Sequence, residues 1–122
     1  MNESDDRTRS AAAAITSALD RLWGKFLPEI RERVTVLESA AAGFAANTLT
    51  ETQRVQASSA AHKLAGTLGT FGLTRGTVLA RELELMYAED IGPDAEMSAK
   101  LAELSAELKA LVEKRKSSES AS

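Results

Sequence analysis

Apolar residues return at alternating spacings of four and three in one segment after another, and only two prolines interrupt the 122 residues. Ile15, Leu19, Leu22 and Phe26 form the first set, and Ile30, Val34, Leu37, Ala41 and Phe44 the second. A third runs through Ala57, Ala61, Leu64, Leu68 and Phe71, a fourth through Gly76, Leu79, Leu83 and Met86, and a fifth through Met97, Leu101, Leu104, Leu108 and Leu111. This period puts each set on one face of an α-helix, and no stretch keeps the apolar/polar alternation of a strand. Alanine, leucine, glutamate and arginine, all good helix formers, are abundant. Such stripes leave water by packing helix on helix through short loops. The expected fold is therefore all-α, an antiparallel four-helix bundle with an additional N-terminal helix.

The segment ends carry recognisable chemistry. Thr50 to Gln53 has capping-box spacing, in which hydroxyl and amide each satisfy an orphan backbone N–H, and predicts a helix start. Gly72 suits the end of that helix. Gly92 and Pro93 break the chain, and Asp94 can cap the helix that follows. Lys114, Arg115 and Lys116 suit the negative end of that last helix. Pro28 forfeits one backbone hydrogen bond and presses its ring on the carbonyl of Gly24. The expectation there is a short N-terminal helix leading into a longer one.

At this length one domain over residues 1–122 is expected, with 1–8 and 117–122 as flexible ends. A net charge of −3 gives no electrostatic reason for nucleic acid binding. Cysteine is absent, which removes thiolate chemistry. No apolar run approaches the ~20 residues needed to span a bilayer, and no signal peptide is legible. A cytoplasmic monomer is the expectation.

Chemistry then converges on the single histidine, His62, in the stretch AAHKLAGTLGTFG. If Ala57, Ala61, Leu64, Leu68 and Phe71 face inward, His62 is rotated ~100° from Ala61 and reaches solvent. Its neighbours on that face, Ser58, Ser59, Ala65, Gly66 and Gly69, are all small. A merely solvated surface would carry charged residues here, and each mid-helix glycine costs roughly 1 kcal/mol against alanine. Close approach of another helix over Gly66 and Gly69 is the plain structural explanation. One histidine without cysteine or a Glu-x-x-His pair makes a poor metal site, and no second axial ligand suggests haem. Imidazole is, however, a good nucleophile near neutral pH and can carry a phosphoryl group. No Walker-type glycine loop or Mg²⁺-binding carboxylate set is visible, so a partner would bring the catalytic machinery.

The residues Ala61, His62, Lys63, Leu64, Ala65 and Gly66, then Gly69 to Leu73, and then Leu79, Ala80, Arg81, Glu82, Leu83 and Glu84 resemble the histidine-containing phosphotransfer domain of two-component phosphorelays. The resemblance covers most of the chain. It implies that His62 is the phosphoacceptor, that Gly66 lets a receiver domain approach, with Ser58, Ser59 and Gly69 on the docking surface, and that Gly72 closes the motif. It also implies receiver domains, histidine kinases or both as partners, with Mg²⁺ supplied by the partner and no cofactor or metal held by this chain. One departure stands out. Family members commonly have lysine three residues after the histidine, where this chain has Ala65. Lys63, the nearest cation in sequence, points ~100° away from His62. The expected function is a phosphocarrier without kinase activity of its own. The alternative is a non-catalytic receiver- or kinase-binding helical adaptor with a degenerate site.

Overall fold

The structure is a computed structural model that describes residues 3–89 and 94–115. Four helices account for its regular structure: α1 (Glu3–Ala45), α2 (Glu51–Thr70), α3 (Thr74–Tyr87) and α4 (Ala95–Lys114). Among the described residues there is no strand. Each helix packs against two neighbours: α1 and α3 both touch α2 and α4, and the two diagonals stay apart. The pairings run antiparallel. Along α1 and α4, Asp20 meets Arg115, Arg31 meets Glu113 and Glu38 meets Lys109. Along α2 and α3, Arg54 meets the Tyr87 carbonyl and Thr77 meets the Ala65 carbonyl. This is the expected all-α antiparallel bundle, and among the described residues no helix is long and apolar enough to cross a membrane.

The core follows the four later stripes. Ile30, Leu37, Leu64, Leu68, Leu79, Leu83, Leu101 and Leu108 are fully buried, and burial of each such side chain contributes roughly 1.5–3 kcal/mol. The first stripe needs correction, because Ile15, Leu22 and Phe26 are exposed. The residues buried instead are Trp23 and Leu27, one position along, which continue the four-three spacing of Ile30, Val34 and Leu37 backwards. Among the described residues, α2 and α4 end near the level of Trp23, which leaves the earlier part of α1 with little to pack on. Arg115, just after α4, stacks over Trp23 and Phe71 at 4.9 and 5.7 Å and hydrogen-bonds Asp20, closing the bundle there.

The separate N-terminal helix is also corrected, because α1 is one helix of 43 residues, roughly 65 Å long, that passes through Pro28. Pro28 lies on the solvent side, where water can take the orphaned Gly24 carbonyl. Trp23 and Leu27 before it share a buried face with Ile30 and Val34 after it. Ending the helix would uncover that face, and packing outweighs the local cost of proline. The helix begins at Glu3.

Local chemistry places the remaining ends as expected. Thr50 and Gln53 form the reciprocal capping box, with bonds of 3.1 and 2.9 Å. After α2 the chain turns through Gly72 at φ +74°, a left-handed conformation that disfavours any side chain. The amide of Leu73 donates to the Leu68 carbonyl at 2.9 Å, satisfying a terminal acceptor. Asp94 caps α4 by accepting from the amides of Glu96 and Met97. The break expected at Gly92 and Pro93, Lys116 and the tail 117–122 lie outside the described residues.

Candidate functional site

His62 sits near the middle of α2, on the edge facing α3, with 74% of its side chain exposed. Alanines at 57, 60 and 61 are buried directly behind it. Its Nδ1 lies 2.8 Å from Oε2 of Glu84 on α3. An ionised carboxylate can only accept, so Nδ1 carries the proton and donates it to Glu84. In the neutral imidazole this tautomer leaves the lone pair on Nε2. The contact also fixes the ring against rotation, which an exposed imidazole would otherwise enjoy.

Glu84 is held in turn by the packing of α2 on α3. Ser58, one turn before His62, donates its hydroxyl to the Glu84 carbonyl at 3.4 Å. Arg54, a further turn back, bridges Glu51 and the carbonyl of Tyr87 at the end of α3. Thr77 donates to the Ala65 carbonyl at 3.3 Å on the other side. These ties lock the two helices in one register and leave a shallow hollow of about 350 Å³ beside the imidazole, lined by Arg54, Val55, Ser58, Ser59, His62, Glu84 and Ala88.

The structure divides the residues expected around His62. Ser59, Gly66 and Gly69 are exposed, and Ser58 is half-buried. Ala65 is a correction: it is buried, so it belongs to the α2–α3 contact rather than to the exposed patch. A three-residue step falls ~60° short of a full turn from the ring position, and in this hairpin that difference carries Ala65 under Thr77. Lys63 is exposed. A Cβ built at Gly66 would meet nothing within 4 Å, and one at Gly69 only Thr77 Oγ1 at 3.5 Å. Among the described residues no helix needs either glycine for its own approach. Val55 on α2 and Val78 and Leu85 on α3 are exposed large apolar residues of the same two helices.

Sequence reasoning assigned no role to Glu84, although it stood among the residues carrying the resemblance. The signal that finds it is the register of the α2–α3 hairpin. Ala57, Ala61, Leu64 and Leu68 bury on α2 while Leu79, Leu83 and Tyr87 bury on α3, and antiparallel pairing of those stripes brings Glu84 beside His62. Among the described residues no group of three His, Cys, Asp or Glu side chains converges on a possible metal position.

The four-helix bundle thus offers one oriented, open imidazole on a surface of small residues. The family model described as Hpt domain matches residues 21–116, and the chain belongs to that family, whose members serve histidine phosphotransfer in phosphorelays. The chain is also similar to Protein RcaC of Microchaete diplosiphon, with 41% identity over 66 residues. That match covers 54% of this chain and 10% of RcaC, so the chain spans a small fraction of that relative's length. No solved structure matches the chain significantly.

Proposed function

We propose that His62 is the phosphoacceptor and that the chain carries a phosphoryl group between a receiver aspartate, or a kinase holding ATP, and a response regulator. The observation that carries this reading is the contact of Nδ1 with Glu84 on a ring that is 74% exposed, an arrangement in which the neutral imidazole keeps its lone pair on Nε2. In the forward step the Nε2 lone pair attacks phosphorus, the P–O bond to the receiver aspartate breaks, and the aspartate leaves as a carboxylate. The ring then carries positive charge while Nδ1 keeps its proton, and the Glu84 carboxylate offsets that charge. In the return step an aspartate of the accepting receiver attacks phosphorus and Nε2 leaves with its electron pair. The partner supplies Mg²⁺ and most of the stabilisation of the migrating charge.

The open positions at Gly66 and Gly69 give a receiver room to approach, and the exposed Val55, Val78 and Leu85 give it apolar surface to cover. An adaptor that only binds receivers would need the same surface but would have no use for an oriented ring. Incubation with phosphorylated receivers and Mg²⁺ separates the two readings. We expect label on the protein that is acid-labile and base-stable, as a phosphoramidate is, and absent from His62→Gln. Receiver binding without label, or label that persists in folded His62→Gln, overturns the assignment.

A further inference from the structure

We propose that Arg81 on α3 is the cation that holds the phosphoryl group on His62, taking the part that a lysine at position 65 would otherwise play. This inference rests on His62 being the residue that carries the group, and it adds the residue that receives the charge. The need for a cation follows from the site. A phosphoryl group brings close to two negative charges, and here it would sit on a ring whose other nitrogen is bound to the carboxylate of Glu84. Residue 65 supplies no charge, because it is a buried alanine.

The height of Arg81 follows from the helix register. Ser58 meets the carbonyl of Glu84, and Thr77 meets the carbonyl of Ala65, so equal steps along the two helices run in opposite directions. Arg81 stands midway between Thr77 and Glu84, and that midpoint faces the level of Ala61 and His62. Its direction follows from the helical turn. Arg81 is four residues after Thr77 and three before Glu84, which puts it within about 60° of both, on the α2 side of α3 and toward solvent. Neighbouring helices lie roughly 8–10 Å apart, a gap that an arginine on the rim of the groove can span.

Arg81 is also free for the task. Arg31, Arg33, Arg54, Arg75 and Arg115 each hold a carboxylate or carbonyl oxygen. Arg81 is exposed and has no hydrogen bond or ion pair among the described residues. A guanidinium presents paired N–H groups that match two phosphoryl oxygens, and no proton moves in forming that contact.

The test needs no receiver, because the chain has one histidine and phosphoramidate can phosphorylate it chemically. A cation that binds the dianion favours ionisation of the phosphoryl oxygens. It also stabilises the phosphorylated ground state more than a loose, metaphosphate-like transition state. After phosphoramidate treatment and its removal, we expect Arg81→Gln to shorten the phosphohistidine half-life about two- to fivefold, the size expected of an exposed ion pair. The second phosphoryl pKa, followed by phosphorus NMR, should rise in the same variant. Arg81→Lys should restore most of both effects. Equal half-lives and equal titrations in the parent and Arg81→Gln overturn the proposal. So does a loss confined to transfer from receivers, which would make Arg81 a docking residue. If no receiver labels even the parent, the phosphocarrier reading fails while the chemical measurement still decides what Arg81 does.

Discussion

Glu84 decides which nitrogen of His62 is available, and that role separates into two parts that substitution can distinguish. Its carboxylate accepts from Nδ1–H, which orients the ring, and its charge opposes the positive charge the ring acquires during transfer. Glu84→Gln can keep an acceptor oxygen within reach and loses only the charge, whereas Glu84→Ala loses both. Transfer from a phosphorylated receiver should therefore fall stepwise from parent to Gln to Ala. The full loss should be on the order of five- to tenfold, the worth of one charged hydrogen bond at a partly exposed site. Thermal unfolding should move by no more than about 3 °C, because the contact is at the surface. A transfer rate for Glu84→Ala equal to the parent's would remove Glu84 from the mechanism. At this scale His62 was legible in the sequence as a lone imidazole among small residues. Its partner was not, because a residue 22 positions away becomes a neighbour only once the hairpin register is known.

On α2, stability and docking make opposite demands at one position. Gly66 is exposed in mid-helix, and a Cβ there would meet nothing within 4 Å among the described residues. Gly66→Ala should therefore stabilise the fold by up to roughly 1 kcal/mol, which for a domain of this size raises the unfolding temperature by roughly 3–5 °C. Gly66→Arg should fold equally well yet slow transfer from a receiver, because the long side chain would stand one turn from His62 in the path of approach. Loss of stability in both variants would mean the glycine serves packing, and unimpaired transfer by Gly66→Arg would place the docking surface elsewhere. Helix α1 shows where element-level reading runs out. Leu22 and Phe26 lie beside Trp23 and Leu27, so two stripes of the same spacing compete, offset by one residue. Spacing alone gives no ground for choosing between them. The choice is made by where α2 and α4 end, a tertiary fact, and the same packing carries the helix past Pro28. Both ends of α2 were legible, because the capping box at its start and the left-handed glycine after its end each act through residues close by in sequence.

Across the whole molecule, charge sets the acid side of the stability profile and one buried phenol sets the alkaline side. Arg31 ties α1 to Glu113 of α4, and Arg75 ties α3 to Glu107 of α4. Hydrogen bonds from these arginines hold both carboxyls below their ordinary value of 4.5. A lowered folded-state pKa gives stability that is present above the ordinary range and lost as pH falls through the folded value, and these exposed pairs make that contribution small. Tyr87 behaves in the opposite sense. It is fully buried, its hydroxyl has no hydrogen-bond partner among the described residues, and burial pushes its pKa from 10.0 up to about 12. Below pH 10 both folded and unfolded chains hold the phenolic proton. Between pH 10 and 12 the unfolded chain releases it and the folded chain does not, so stability drains away as pH rises, by up to about 2–3 kcal/mol. Tyr87→Phe should remove that component while leaving stability at pH 7 unchanged or slightly raised, because the lost hydroxyl made no bond. Tyr87 is the only tyrosine, so tyrosinate absorbance follows it without interference. In the parent, the absorbance should rise near pH 12, together with loss of helical circular dichroism. Half-ionisation near pH 10 in protein that is still helical would mean that the phenol is open to water and that α3 does not bury it.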